Sequence, residues 1–394
     1  MSARAVLRNA LRFLGRPAPI GAAVALAVIL SSLYGAWDVA ELKLLDRHLR
    51  VRGPVRQAGD VVIVGIGEDT FSELDHPWPF PRAWYGRAVE SIAAARPRAI
   101  GIDVLFTEPS LFGPEDDAAF SASLRRYDPV VLAALFWHEV ERPVHTGGGV
   151  VTTKTYQVLR LPVRALPREP SGFANVLNDP DGFVRRVPLY LDFRTAGRME
   201  SFAVQIVKVA TRYGPDVLPS SREMLINFRG PTWSFETVSF HQVLRGDVRP
   251  ETFAGKVVLI GATSPVLHDV SFTPFTPRDP MPGVEIQANA VDNLLRGDPL
   301  RPAGRLVSWA LAVFAAIVGT GFGSRIRPPK SFLRVAAIGC GIVVTAHAAL
   351  VGFQVWIAQV PIHLALFGTY FAVLVSGAPF KKFAHLSPPA SLVG

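Results

Sequence analysis

Residues 60–71, DVVIVGIGEDTF, decide the fold. Five of the six residues Val61–Ile66 are Val or Ile, and consecutive apolar positions on a strand require cover on both faces. Residues 81–97, PRAWYGRAVESIAAARP, then place Trp84, Ala88 and Ile92 along one side of a helix that Pro97 ends. A second buried strand follows at 98–110, RAIGIDVLFTEPS. Strand, helix and strand within about 45 residues predict a right-handed βαβ unit in a parallel sheet.

Working outward, 118–127 (AAFSASLRRY) is helical and 129–137 (PVVLAALFW) is a third strand. Residues 182–193, GFVRRVPLYLDF, alternate imperfectly and suit an antiparallel or edge strand. A helix at 201–213, a short strand at 224–230, a helix at 238–247 and a central strand at 255–263 come next. A final helix, PGVEIQANAVDNLLRGD, occupies 282–298. Residues 140–170, with HTGGGVVTTKT and scattered prolines, read as an insertion or hairpin. The expected fold is α/β, a mainly parallel sheet sandwiched by helices in a single extracytoplasmic domain, plus four transmembrane helices.

The flanks supply the membrane reading. The formal charge of +9 is not spread evenly, since all 32 acidic residues lie between Asp38 and Asp298 and the flanks are purely basic. That charge is a topology label, which argues against a nucleic-acid partner. Apolar runs at 20–37, 306–323, 335–353 and 361–378 are each near the ~20 residues that cross a bilayer as a helix. Arg4, Arg8, Arg12 and Arg16 hold residues 1–19 in the cytoplasm, and Arg325, Arg327, Lys330 and Arg334 mark an inner loop. Lys381 and Lys382 place the tail, 379–394, inside as well, leaving 38–303 outside. The first run is read as an anchor rather than a cleaved signal peptide, because it has full span length and no A-x-A site follows. The lone cysteine, Cys340, falls inside the third span, so the outer domain has no disulfide.

Chemistry is sparse. VGIGEDT lacks the third glycine of a dinucleotide fingerprint, and Glu68 and Asp69 would repel a pyrophosphate, so it reads as a tight strand-to-loop turn. No P-loop, H-E-x-x-H or G-x-S-x-G is present. His268 stands beside Asp269 in a loop, while His347 and His363 lie within or beside spans, where an ionisable residue is a functional candidate. Acids gather where parallel strands end: Glu68 and Asp69, Asp103 with Glu108, and Asp269. If they converge, they suit a cation or an amine; otherwise they cap loops. The candidate ligand-binding residues are Asp69, Asp103, Asp269 and Glu285; a metal is left open, and no cofactor is expected.

The order of WPFPR, AIGIDVLFTEP, NDPDGFVRRVPL, INFRGP, GKVVLIGAT, HDVSFTP and PGVEIQANAVDNLL resembles the type-2 CHASE family. This resemblance covers about residues 40–300 and implies an outward-facing sensor of bacterial cyclases, histidine kinases or protein kinases. The last motif usually reads G-V-E-I-H-A in that family, and Gln287 takes the place of its histidine here. The tail FAHLSPPASLVG resembles the opening of a linker into a cyclase, and no output module is in the sequence.

The expected function is therefore the sensory portion of a multi-pass receptor in a bacterial inner membrane, without catalytic activity of its own. Expected partners are an outer small molecule or cation, the lipid bilayer, a second copy in a homodimer, and a cytoplasmic cyclase or kinase. A structural protein that dimerises through its outer domain and an envelope enzyme are the alternatives.

Overall fold

A computed structural model describes residues 17–55, 59–127, 130–140, 155–167, 170–193, 197–212, 221–276, 278–325 and 329–376, with backbone alone at 137–140 and 155–158. The N-terminal arginines, residues 141–154 and 168–169 of the expected 140–170 insertion, and the basic tail lie outside these residues. The chain forms two compact units, residues 49–299 and residues 17–48 with 300–376.

The first unit is the α/β domain. Its strands β1 (Val61–Ile66), β2 (Ala99–Leu105) and β3 (Val130–Val140) alternate with helices α3 (Glu68–Leu74), α4 (Arg82–Ala93) and α5 (Pro114–Arg126). α1 and α2 precede them, at Pro17–Leu33 and Asp38–Arg52. Strand β4 (Thr155–Arg160) turns back antiparallel on β3, while β5 (Ser171–Phe173) pairs parallel to it. Two small antiparallel ladders follow: β6 (Arg186–Pro188) with β9 (Glu223–Leu225), and β7 (Tyr190–Phe193) with β8 (Gly197–Glu200). Helix α6 (Phe202–Ala210) lies between β8 and β9 in the chain, and β10 (Glu236–Ser239) runs into α7 (Phe240–Arg245). Then come β11 (Val257–Ala262) and α8 (Gly283–Arg296).

The sheet order is β10-β1-β11-β2-β3-β4, parallel as far as β3. β11 therefore enters between β1 and β2, pairing Val64 with Ile260 on one side and Gly261 with Asp103 on the other. Successive strand residues feed opposite faces. Val61, Ile63, Val257 and Leu259 join α6 and α8 in one core. Val62, Val64, Val258 and Ile260 join α4, α5 and α7 in the other. Each such buried side chain contributes about 1.5–3 kcal/mol.

Three local readings change. The turn at 67–69 is the start of helix α3. Residues 238–247 begin as the edge strand β10 before turning helical. Of 224–230, only Met224 and Leu225 belong to a strand.

The second unit is helical. α9 (Arg305–Arg325), α10 (Lys330–Phe353) and α11 (Val360–Val375) pack with α1 through Ala25, Ala312, Ala315, Ala316, Val335, Ala365 and Leu366. Small side chains let helices approach closely where lipid surrounds them. Leu306, Phe314, Ile317, Leu333, Val344 and Phe353 remain exposed on the outside of this unit. Among the described residues, two helices, α9 and α10, are long and apolar enough to cross a bilayer. The pair α1 and α2, bent by 85°, makes a third if counted as one broken span. α11 is apolar but has 16 residues, about 24 Å of helix.

Candidate functional site

Strand ends place the acids. Asp103 projects from β2 on the face of Ala99 and Gly101, which is the α8 face. β11 ends at Ala262, and its loop carries Asp269 to the start of α8, where the Gly283 N–H donates to the Asp269 carbonyl at 2.9 Å. Two glycines make this approach possible. A Cβ on Gly283 would overlap the Asp269 carboxylate, and one on Gly261 would lie 2.7 Å from the Val284 Cβ and 3.3 Å from that of Asp103.

Asp103 is half-buried, whereas Asp269 is exposed as a residue but keeps its carboxylate against Gly283. Burial, and then the facing Asp269 charge, raise the Asp103 pKa well above the ordinary carboxylate range. Desolvation raises Asp269 too. A raised acid binds its proton more tightly when folded, so the pair favours the fold most below the unfolded pKa near 3.8. That contribution is lost as pH rises through the folded value. A cation or ammonium group between the two carboxylates would relieve the same repulsion.

Asp69 lies elsewhere on the rim. It accepts from the Ser239 hydroxyl and, at 2.9 Å, from the Thr70 N–H, with His241 Nδ1 3.8 Å away. Glu68 accepts from Ser264 Oγ, and Glu108 gives its carbonyl to Arg82. His268 is exposed, in left-handed backbone at φ 57°.

Glu285 is committed to structure. It is 1% exposed, and its carboxylate accepts from the N–H groups of Trp233 at 3.0 Å and Ser234 at 2.8 Å. Burial raises its pKa while those backbone bonds oppose the shift. It begins a stripe. One and two turns further on, Asn289 Oδ1 accepts from the Arg229 N–H at 2.9 Å and Asn293 Oδ1 from the Asn227 N–H at 2.7 Å. Asn293 also donates back to the Asn227 carbonyl at 3.1 Å. Residues 227–234 thus use side chains of α8, spaced by four, where a β-strand would use a neighbouring strand. Gln287 donates to the Ala174 carbonyl at 2.7 Å, a structural bond.

The same segment gathers the two ends of the domain. Buried Arg229 bonds Asp292 and reaches Asp298 at 2.7 and 2.9 Å, just past the end of α8. Burial lowers the Arg229 pKa, but Asp298 and Asp292 outweigh it and the net shift is upward. Arg52, the last residue of α2, donates to Asn227 Oδ1 and the Phe228 carbonyl. Burial, and then Arg229, push Arg52 down to about 10 despite Asp298. The sequence reading passed over Arg52, Asn227, Arg229, Asn289, Asp292 and Asn293, although polar residues at 285, 289 and 293 of an otherwise apolar helix were a visible signal.

Other motifs are clamps. Arg185 pairs with Asp179 at 3.0 Å and Asp181 at 2.8 Å beneath Phe183, and Arg82 binds Asp117 beside Phe106. Clefts of about 350 and 450 Å³ flank residues 159–164, and none of the four candidate acids lines either one. Among the described residues, no group of three His, Cys, Asp or Glu is placed to hold a metal ion.

The fold is a parallel α/β domain with buried arginines as structural clamps, in a chain with two described helices long and apolar enough to cross a membrane. The chain belongs to the CHASE2 domain family, whose model matches residues 22–323. That domain is a sensory extracellular domain of signalling receptors. No curated protein and no solved structure matches the chain.

Proposed function

We propose that the chain is the receptor portion of a bacterial transmembrane signalling protein and has no catalytic role of its own. The α/β domain senses a ligand outside, and helix α8 relays it. One observation carries this reading: α8 begins beside Asp103 and Asp269 and ends in the Arg229–Asp298 lock, and the same 227–229 segment holds Arg52 through Asn227 and the Phe228 carbonyl. Those 14 residues span about 21 Å. Anything that changes the repulsion at one end bears on the segment from which the chain departs in both directions.

Two facing carboxylates supply too few oxygens for a dehydrated divalent cation, which takes six to eight oxygen ligands. A protonated amine or a hydrated cation is the better fit. Asp69 belongs to the same rim as an outer contact, while Glu285 serves the relay. The experiment uses the full chain in lipid nanodiscs with a series of primary amines and divalent cations. A ligand should raise the melting temperature, and Asp103→Asn should abolish the rise. No response across the series would leave the acids as loop caps and favour a purely structural domain.

We place the chain in the inner membrane with four passes, both termini inside and the output cyclase or kinase in the cytoplasm, working as a homodimer. The flanking arginines and lysines support this topology. Reporter fusions at the N-terminus and after Lys382 should report the cytoplasm, and one at Gly147 the outside. An outward C-terminus would sink the four-pass arrangement.

A further inference from the structure

The helical unit contains a polar cluster that the ligand reading does not use. Helix α2 carries seven charged residues among Asp38–Arg52, too many for hydrocarbon, and follows α1 at the outer end expected from the topology. On one of its faces, Glu41, Leu45 and His48 recur at helical spacing, and His48 is buried. Its Nδ1 lies 3.0 Å from Nδ1 of His347 on α10, with the rings stacked at 5.2 Å. The other ring nitrogen of His48 faces the Gln359 amide at 2.9 Å, and the edge of Trp356 lies 5.5 Å away. Glu41 accepts from the Val360 N–H at the start of α11.

Two Nδ1 atoms at hydrogen-bond distance need one N–H and one lone pair between them. The contact is therefore made with one proton; it survives one charged ring, whose extra proton sits on the far Nε2, and only two charged rings set N–H against N–H. We propose that the His48–His347 contact is a proton site: one shared proton holds α2 to α10, and charging of both rings as the exterior acidifies opens the contact. Because α2 continues to Arg52, the release falls on a segment that leads into the sensory domain. The use of this site as a pH input rests on the receptor reading above; the proton chemistry itself does not.

Among the described residues, Glu41, Lys43, Asp46, Arg47 and Arg50 are charged groups on the same helix. On α11, His363 lies 2.8 Å from the Gln359 carbonyl and 3.1 Å from that of Gly339. Burial, then His347, hold His48 below its ordinary value against the Gln359 bond, with Arg47 adding to the lowering. For a histidine shifted down, stability is present above the unfolded pKa near 6.5 and is lost as pH falls through the folded value. This sign is opposite to that of the Asp103–Asp269 pair, so the two regions separate in a pH series.

The test is imidazole nitrogen NMR on the full chain in nanodiscs, labelled at histidine, with assignments from His48→Asn and His347→Asn. In wild type, the second ring of the pair to charge should do so at a pH at least about one unit lower than His48 does in His347→Leu, a tenfold change in proton affinity. Melting temperature should fall between about pH 7.5 and 5.5 in wild type and fall less in His347→Leu. If His347→Leu fails to fold, His347→Asn keeps a hydrogen-bonding group without a titrating one and should show the same relief. Equal His48 titration with and without an imidazole at position 347 would overturn the proposal. Neither readout involves a ligand or an output, so failure here leaves the receptor reading standing, and the reverse.

Discussion

Helix α8 has two kinds of acid, and the contrast between them separates what holds the domain from what can respond. Asp292, within the helix, and Glu285, in its first turn, are 1% exposed and each meets partners fixed by the fold, an arginine or backbone N–H groups. Asp269, outside its N-terminus, faces Asp103, another acid. Satisfied buried charges fix an arrangement, and removing one partner strands the other. Two facing acids do the reverse, leaving a position that a proton or a cation can change.

Breaking the satisfied side should have the largest effect. Arg229→Met leaves buried Asp292 with Arg296 alone, at 3.4 Å, and frees Asp298, a loss of about 3–5 kcal/mol by analogy with other buried pairs. Denaturant unfolding of the full chain measures it, and a loss under about 1 kcal/mol would show that the lock is not structural. The open side predicts a smaller change of opposite sign. Asp103→Asn should raise the melting temperature above the raised folded pKa, where wild type carries the repulsion, and the gain should shrink as the pH is lowered and the wild-type pair takes up its proton. A destabilising Asp103→Asn throughout the alkaline range would mean that the carboxylate has a partner the contrast assigns only to the other acids.

Much of this was legible in the sequence. Strands β1, β2 and β11 announce themselves because runs of Val and Ile have no other stable place than a sheet covered on both faces, and α8 is bounded by its own Pro282 and Gly297. The order β10-β1-β11-β2 was not legible, since Val64 meets Ile260 across almost two hundred residues and nothing local specifies that register. The edge strand β10 was missed because its half-exposed residues give a weak pattern beside the helix that follows. α2 is too charged to attract attention beside an apolar run. For the site, strand ends pointed to Asp103 and Asp269, which lie within electrostatic reach of each other. Direction was the harder matter: Asp69 turns to Ser239 and Glu285 turns inward, and only the spacing 285, 289, 293 foretold the latter.

The account's central claim is that a change at Asp103 and Asp269 is carried by α8 to the segment holding Arg52 and Asp298. Amide hydrogen exchange on the full chain in nanodiscs tests it most directly, with and without whichever amine or cation raises the melting temperature. The account predicts slower exchange at residues 227–229 and along 283–298, as well as at 269, and no such change in Asp103→Asn. Protection confined to the rim, with 227–229 and the end of α8 unchanged, would contradict it.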